Sequence, residues 1–135
     1  MEELVLADTD VLIDFFNGIS PSAEVVAMLI GQERLAITSI SVFELYAGVT
    51  GKKRLEAIDL LLRNVVLLPL EEKAAREAGK IFTELKSGGR LIGNEDTLIA
   101  AIARTHDLAV LTRNKRHFSR VKGIELYEET GRLED

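Results

Sequence analysis

Three acidic side chains occur at positions where the surrounding sequence makes an acid unexpected. Asp8 ends the apolar run of residues 4–7, Glu44 interrupts an apolar segment, and Asp96 precedes the most apolar stretch of the chain. Carboxylates that meet at one place repel each other unless a cation neutralises them. Because the chain has no cysteine and only two histidines, carboxylates would be the main ligands of such a cation, which favours Mg²⁺ or Mn²⁺.

Each of these acids also has a purely structural interpretation. Asp8 could be only a helix N-cap, and Glu44 could pair with a lysine or face solvent. Asp96, together with Glu95, could simply complement the positive end of a helix dipole. Taken together, the three acids favour a shared site, because right-handed crossover connections place the carboxyl ends of all parallel strands on one edge of a sheet.

The chemistry expected of such a site is hydrolysis of a phosphodiester bond. Two metals, or one metal with an acid acting as base, activate water for in-line attack on phosphorus and stabilise the charge that develops. Thr112 and Asn114, just past the fourth expected strand, could position an acid, the water or the phosphate.

A basic run without any acid follows this strand. Its members are Arg113, Lys115, Arg116, Arg120 and Lys122. The run is either a solvated face or a local basic rim that binds nucleic-acid phosphates. The net charge of −5 argues against a generic nucleic-acid coat, but an acidic pocket can coexist with such a rim.

Length and composition favour a single soluble domain over residues 1–135. The chain is 47% hydrophobic and 29% charged, as is typical of globular proteins. No apolar run approaches the roughly 18–20 residues that span a membrane, and the N-terminus has no signal-like segment. We therefore expect no membrane association and a cytoplasmic location.

The hydrophobic pattern predicts strands that alternate with helices. Strands are expected at 4–7, 35–38, 65–68 and 109–111, with a short edge strand at 124–126. Helices are expected at 10–17, 22–32, 41–49, 53–63, 71–87 and 97–105, with a helical turn at 114–119. This alternation predicts an α/β fold with a parallel sheet that is covered by helices on both faces.

Four sequence blocks, in this order along the chain, resemble the PIN domain. They run from Asp8 to Ile13, from Ile40 to Gly48, from Asp96 to Ala101, and from Leu111 to Phe118. More narrowly, they resemble the VapC toxins of type II toxin–antitoxin pairs. One block alone is a weak signal, whereas four blocks in the family's order across nearly the whole chain are a specific one.

The resemblance implies a three-layer α/β/α fold with a central parallel sheet of about five strands. It also implies a magnesium- or manganese-dependent endoribonuclease that forms a homodimer. A small antitoxin protein would silence it by placing its C-terminal segment in the active-site groove. The RNA that is cut and the identity of the antitoxin are left open.

Carried onto this chain, the resemblance makes Asp8, Glu44 and Asp96 the metal ligands and catalytic acids, with Asn114 as a fourth catalytic residue. The family often has an acid where His117 stands, so whether one or two metals bind is left open. The expected substrate contacts are Thr9, Asp10, Thr112, Arg113, Lys115, Arg116 and His117.

Two alternative functions are consistent with part of the sequence. The segment from Asp8 to Asp10 is similar to the nucleophile motif of haloacid-dehalogenase phosphatases, but the Gly-Thr that usually follows and a downstream pair of aspartates are missing. The second alternative is a PIN-like chain that has lost activity and binds RNA or protein, for which the main support is His117.

Overall fold

The computed structural model describes residues 2–128, in which strands and helices alternate as predicted. The strands are β1 (Val5–Ala7), β2 (Leu35–Thr38), β3 (Val66–Leu68) and β4 (Ala109–Leu111). The helices are α1 (Thr9–Phe16), α2 (Ser22–Gly31), α3 (Ser39–Ala47), α4 (Lys52–Leu62), α5 (Glu72–Ser87), α6 (Asn94–His106) and α7 (Lys115–Phe118). The prediction of one domain over residues 1–135 extends beyond the described residues and stays a prediction.

The four strands form one parallel sheet with the order β3-β2-β1-β4. The predicted α/β fold is therefore confirmed, but the expected sheet of about five strands has four in the described residues. In place of the predicted edge strand at 124–126, Leu126 forms a single parallel bridge with Val110. The Val110 amide donates to the Glu125 carbonyl at 2.9 Å and its carbonyl accepts from Tyr127 at 2.8 Å. This pairing is too short to extend the sheet by a full strand.

Helices cover both faces of the sheet, which confirms the predicted three-layer arrangement. Successive side chains of a strand point to opposite faces, so Leu6 packs with α5 and α6 while Val5 and Ala7 pack with α1 and α2. Strand β1 is central and its three side chains are buried. Within residues 2–128, no helix has the length and apolar character needed to cross a membrane.

The carboxyl ends of the strands lead directly into helices that begin with polar caps. Asp8 follows β1 and accepts a hydrogen bond from the Thr9 amide at 2.8 Å, so it caps α1. Thr38 ends β2 and accepts from the Ser41 amide at 3.1 Å, so it caps α3. Both caps lie at the same edge of the sheet because the strands are parallel.

Helix α6 begins three residues earlier than its apolar pattern predicts, at Asn94 instead of Thr97. The residue before it, Gly93, has a φ of 95°, and its carbonyl accepts from the Thr97 hydroxyl at 2.6 Å. Asp96 therefore lies inside the first helical turn, where the helix dipole favours a carboxylate. The prediction that it precedes the helix was wrong because polar residues can complete a first turn without an apolar face.

Candidate active site

Asp8 is the most constrained of the predicted site acids. It is 5% exposed. One carboxylate oxygen accepts from the Thr9 amide and the other from the Thr112 hydroxyl, both at 2.8 Å. Burial raises the pKa of Asp8 to about 7, and the negative charges of Asp10 and Asp96 act in the same direction. The two hydrogen bonds oppose this rise, so the site stabilises the carboxylate without cancelling the cost of burying it.

Glu44 connects to Asp8 through the intervening Thr9. The Thr9 hydroxyl donates to Glu44 Oε1 at 2.5 Å and lies 2.8 Å from Ser41 Oγ. Ser41 was not among the predicted site residues. It precedes Glu44 by nearly one turn of α3, so both side chains lie on the same face of that helix. This spacing is the sequence signal that could have identified Ser41.

Asp96 is linked to Asp8 through Asn114 and Thr112. The Asn114 side-chain amide donates to Asp96 Oδ2 at 3.0 Å, and the Asn114 backbone amide donates to Thr112 Oγ1 at 2.8 Å. His117 Nδ1 lies 2.9 Å from the same Asp96 oxygen and 2.8 Å from Asn114 Nδ2. A protonated Nδ1 donates to Asp96, whereas an unprotonated Nδ1 accepts from Asn114. His117 thus contacts the third acid of the predicted set.

Asp10 contacts the segment that follows β4, at Arg113. Its Oδ2 accepts from the Arg113 amide at 3.1 Å, while its Oδ1 is buried and has no hydrogen-bond partner within residues 2–128. The Arg113 Nε pairs with Asp14 Oδ2 at 2.9 Å. Burial raises the pKa of Asp10, and the Arg113 guanidinium opposes this rise. Sequence reasoning missed Asp14, although it lies one turn after Asp10 on α1.

The structure gives the other members of the predicted basic run different surroundings. Lys115 Nζ lies 3.4 Å from Glu128 Oε1. Arg120 Nη1 donates to the carbonyls of residues 90–91 at 3.3 and 3.2 Å. The Arg116 side chain forms no hydrogen bond or ion pair with the described part of the chain. The run is therefore not one uniform rim.

The donors at the sheet edge suit a hard cation, although they are not arranged as a finished coordination shell. Within residues 2–128, no three acidic or histidine side chains converge as a ready metal-ligand group. The three predicted acids offer carboxylate oxygens, Asp8 has a raised pKa, and Asp10 has a buried oxygen without a partner in the described residues. A divalent cation would neutralise this concentration of negative charge. The metal ligands predicted from the sequence stay a prediction.

Known proteins resemble this chain over most of its length. The PIN-domain family model matches residues 5–124. Ribonuclease VapC1 of Methanocaldococcus jannaschii is 30% identical over 129 residues, which cover 94% of this chain and 89% of the relative. Ribonuclease VapC19 of Mycobacterium tuberculosis is 36% identical over 114 residues, which cover 84% of this chain and 90% of the relative.

The fold leads to the same group of proteins. A chain from the crystal structure of VapBC2 of Rickettsia felis, bound to a DNA fragment from its promoter, superposes with a TM-score of 0.81. The two chains are 25% identical, and the match covers 92% of this chain and 97% of the other. The chain therefore belongs to the PIN-domain family and, within it, to the VapC-type ribonucleases.

Proposed function

We propose that the protein is an endoribonuclease that hydrolyses RNA phosphodiester bonds with a divalent-cation site formed by Asp8, Glu44 and Asp96. The observation that carries this proposal is that Thr9, Thr112 and Asn114 connect the three acids by hydrogen bonds at the carboxyl edge of the sheet. Mg²⁺ or Mn²⁺ is the cation that an all-oxygen donor set favours. The haloacid-dehalogenase alternative is set aside because the PIN-domain match covers residues 5–124.

The residues around the acids hold them in place before any substrate arrives. When bound, the cation would supply Lewis-acid activation of a water molecule and would offset negative charge on the phosphate. Thr112 fixes the orientation of Asp8, and Asn114 fixes that of Asp96, through hydrogen bonds of 2.8 and 3.0 Å. Such supporting contacts orient metal ligands, and their loss typically weakens metal binding by about 10–100-fold.

His117 is the best placed of the predicted substrate contacts. Its side chain is 34% exposed while its Nδ1 is held beside Asp96, so part of the ring is open to an RNA phosphate. Thr9 and Thr112 are buried, and their hydroxyls are bonded to Glu44 and Asp8. For these two threonines, positioning of the acids is the role that their contacts support.

We also propose that the protein is the toxin of a toxin–antitoxin pair. A cavity of about 360 Å³ opens beside Glu44 between α1, α3 and the start of α4. Its lining includes the apolar side chains of Ile13, Phe16, Leu45 and Val49. An apolar groove that ends at a catalytic acid suits an antitoxin segment that blocks the site. VapBC complexes among the solved structures support a protein partner of this kind.

We further propose that the protein forms a homodimer and is located in the cytoplasm. Strand β3 is at the edge of the sheet, and its Val66 and Leu67 are 41% and 49% exposed. Proteins commonly cover an apolar strand edge, and a second copy of the chain is one way to do so. A cytoplasmic location is proposed because an RNA substrate and an antitoxin would be met there.

Metal binding separates the enzyme from an inactive binding module. We expect Mn²⁺ to give a binding isotherm with the wild-type protein and with Glu56→Gln, a control on the exposed face of α4. Asp8→Asn should lose most of this heat, because a central ligand loses its charge. RNA cleavage should then require the metal, and it should be retained in the wild type and Glu56→Gln but largely lost in Asp8→Asn. Equal binding by Asp8→Asn and the wild type, or binding by neither, would reject the proposed site.

A further inference from the structure

A second cavity, of about 470 Å³, lies between the end of α5 and the segment that follows α7. Its charged lining consists of Arg90, Arg120, Lys122 and Glu84. The remaining lining residues are Leu85, Ser87 and Gly88. We call this cavity the basic pocket, since three cations and one acid line it in a chain whose net charge is −5.

The three cations of the basic pocket form no ion pair with the described part of the protein, although Glu84 lies in the same lining. Arg90, Arg120 and Lys122 take part in none of the ion pairs within residues 2–128. The two carbonyls that accept from Arg120 Nη1 orient the guanidinium but carry no full negative charge. Its buried Nε also has no partner within the same residues. The pocket therefore presents one guanidinium held by backbone carbonyls and two further cations, which together outnumber its single acid, Glu84.

The chain segments that build the basic pocket also carry the proposed catalytic site. Arg90 lies in the connection that leads into α6 and Asp96, and Arg120 follows shortly after α7 and His117. The pocket is thus built by the segments on either side of Asp96 and His117 in the chain, which makes it a candidate contact for RNA that extends beyond the proposed site. Guanidinium and ammonium groups bind phosphate oxygens through charge-assisted hydrogen bonds.

We propose that the basic pocket binds a backbone phosphate of the RNA substrate at a nucleotide away from the scissile bond. This inference rests on the proposed endoribonuclease function and adds a substrate subsite to it. A phosphate fits the lining better than a protein segment does, because Leu85 is the only large apolar side chain of the lining and is 7% exposed. Since every nucleotide carries the same phosphate, this subsite contributes affinity and register without reading sequence.

The test uses a double variant, Arg90→Gln with Lys122→Gln, which leaves Arg120 and its backbone contacts intact. The matched control is Arg63→Gln with Lys73→Gln. Both control residues are exposed, form no ion pair within residues 2–128, and lie outside the pocket. Both double variants change the net charge by the same amount. Affinity for a single-stranded RNA is measured against salt concentration, with Asp8→Asn added to every protein to prevent cleavage.

We expect the slope of log affinity against log salt to become shallower by about 0.7 for each single-strand phosphate that the protein no longer neutralises. This change should occur in the pocket variant and not in the control. In otherwise intact enzyme, the pocket variant should raise KM for a long RNA and leave kcat unchanged. Cleavage of a dinucleotide should not change, because its one backbone phosphate is the scissile one and none is left for the pocket.

The inference is overturned if the pocket and control variants have equal salt slopes. It is also overturned if the pocket variant weakens antitoxin binding while RNA binding is unchanged, since the pocket would then serve a protein partner. A wild-type protein that cuts no RNA would reject the proposed function. The salt slopes would still decide whether the basic pocket binds RNA, so the two failures can be told apart.

Discussion

The acidic site at the sheet edge and the basic pocket each have an excess of charge of one sign, but they differ in burial and in hydrogen bonding. At the acidic site, Asp8 is buried and hydrogen-bonded, and its pKa is raised to about 7. In the basic pocket, Arg90 and Lys122 are exposed and without ion pairs to residues 2–128. Burial makes the acidic charge costly, whereas exposure keeps the basic charge solvated at little cost.

This contrast agrees with the roles proposed for the two regions. Hydrogen bonds across distant segments fix the carboxylates, as expected where a cation and a reacting phosphate must be held in one geometry. The exposed cations have no ion-pair partner in residues 2–128, which suits the proposed binding of an RNA backbone phosphate, a group that is the same at every nucleotide. The following predictions test this division, beginning with the largest expected effect.

Asp96→Asn should nearly abolish RNA cleavage, whereas Glu95→Gln should have little effect. The two acids are adjacent in the first turn of α6, but Glu95 is exposed and Asp96 is bonded to Asn114 and His117. Loss of a ligand to a catalytic metal is expected to remove several kcal/mol of transition-state stabilisation, or about a thousandfold in rate. Single-turnover cleavage at saturating Mn²⁺ measures the difference. Equal rates for the two variants would mean that the acid belongs only to the helix dipole.

Asp8→Asn should stabilise the metal-free protein at high pH. Because the pKa of Asp8 rises from 3.8 in the unfolded chain to about 7 in the folded one, the folded state binds more protons between these values. Wild-type stability should therefore fall as the pH rises through this window, and asparagine should remove that part of the fall. Above pH about 7 the variant should gain a few kcal/mol.

Urea unfolding in the presence of a chelator measures this effect. The two proteins should converge in stability as the pH falls below the ordinary pKa of aspartate, where this side chain is neutral in both the folded and the unfolded state. A stability difference that does not change with pH would show that burial of the Asp8 charge is not its cause. Added Mg²⁺ should reduce the advantage of the variant, because a bound cation stabilises the wild-type carboxylate.

Arg113→Gln should lower the stability of the fold more than Arg116→Gln does. Arg113 pairs with Asp14, whose side chain is 7% exposed, so its loss should cost about 1–3 kcal/mol of stability. Arg116 has no such contact in the described residues, and its loss should stay within about 0.5 kcal/mol. Thermal unfolding compares the two variants. If Arg116→Gln is the more destabilising change, the structural division of the basic run is wrong.

The sequence predicted the fold and the candidate acids because both depend on local patterns. Short apolar runs separated by helical segments identified β1, β2, β3 and β4, and the acids were recognised because they interrupt or end such runs. Parallel topology then placed the strand ends on one edge without any knowledge of side-chain contacts. Where local patterns were weak, as at the start of α6 and in the edge strand near Leu126, the predictions were less accurate.

The contacts that organise the site could not be obtained in this way. Thr112 and Asp8 are hydrogen-bonded although they are 104 positions apart in the chain. The ion pair between Arg113 and Asp14 likewise connects residues that are distant in sequence. A basic residue near a predicted site looks the same in sequence whether it pairs with a buried acid or remains free. Only its distance to that acid, which packing sets, distinguishes the two cases.

By itself, therefore, the sequence determined the α/β architecture, the PIN-domain resemblance and the acids Asp8, Glu44 and Asp96 as candidates. The tertiary structure alone decided that Thr9, Thr112 and Asn114 connect these acids, and that Arg90, Arg120 and Lys122 share one pocket. The physical reason is that hydrophobic periodicity is a local property of the chain. Hydrogen bonds and charge pairing at the site depend on how distant segments pack.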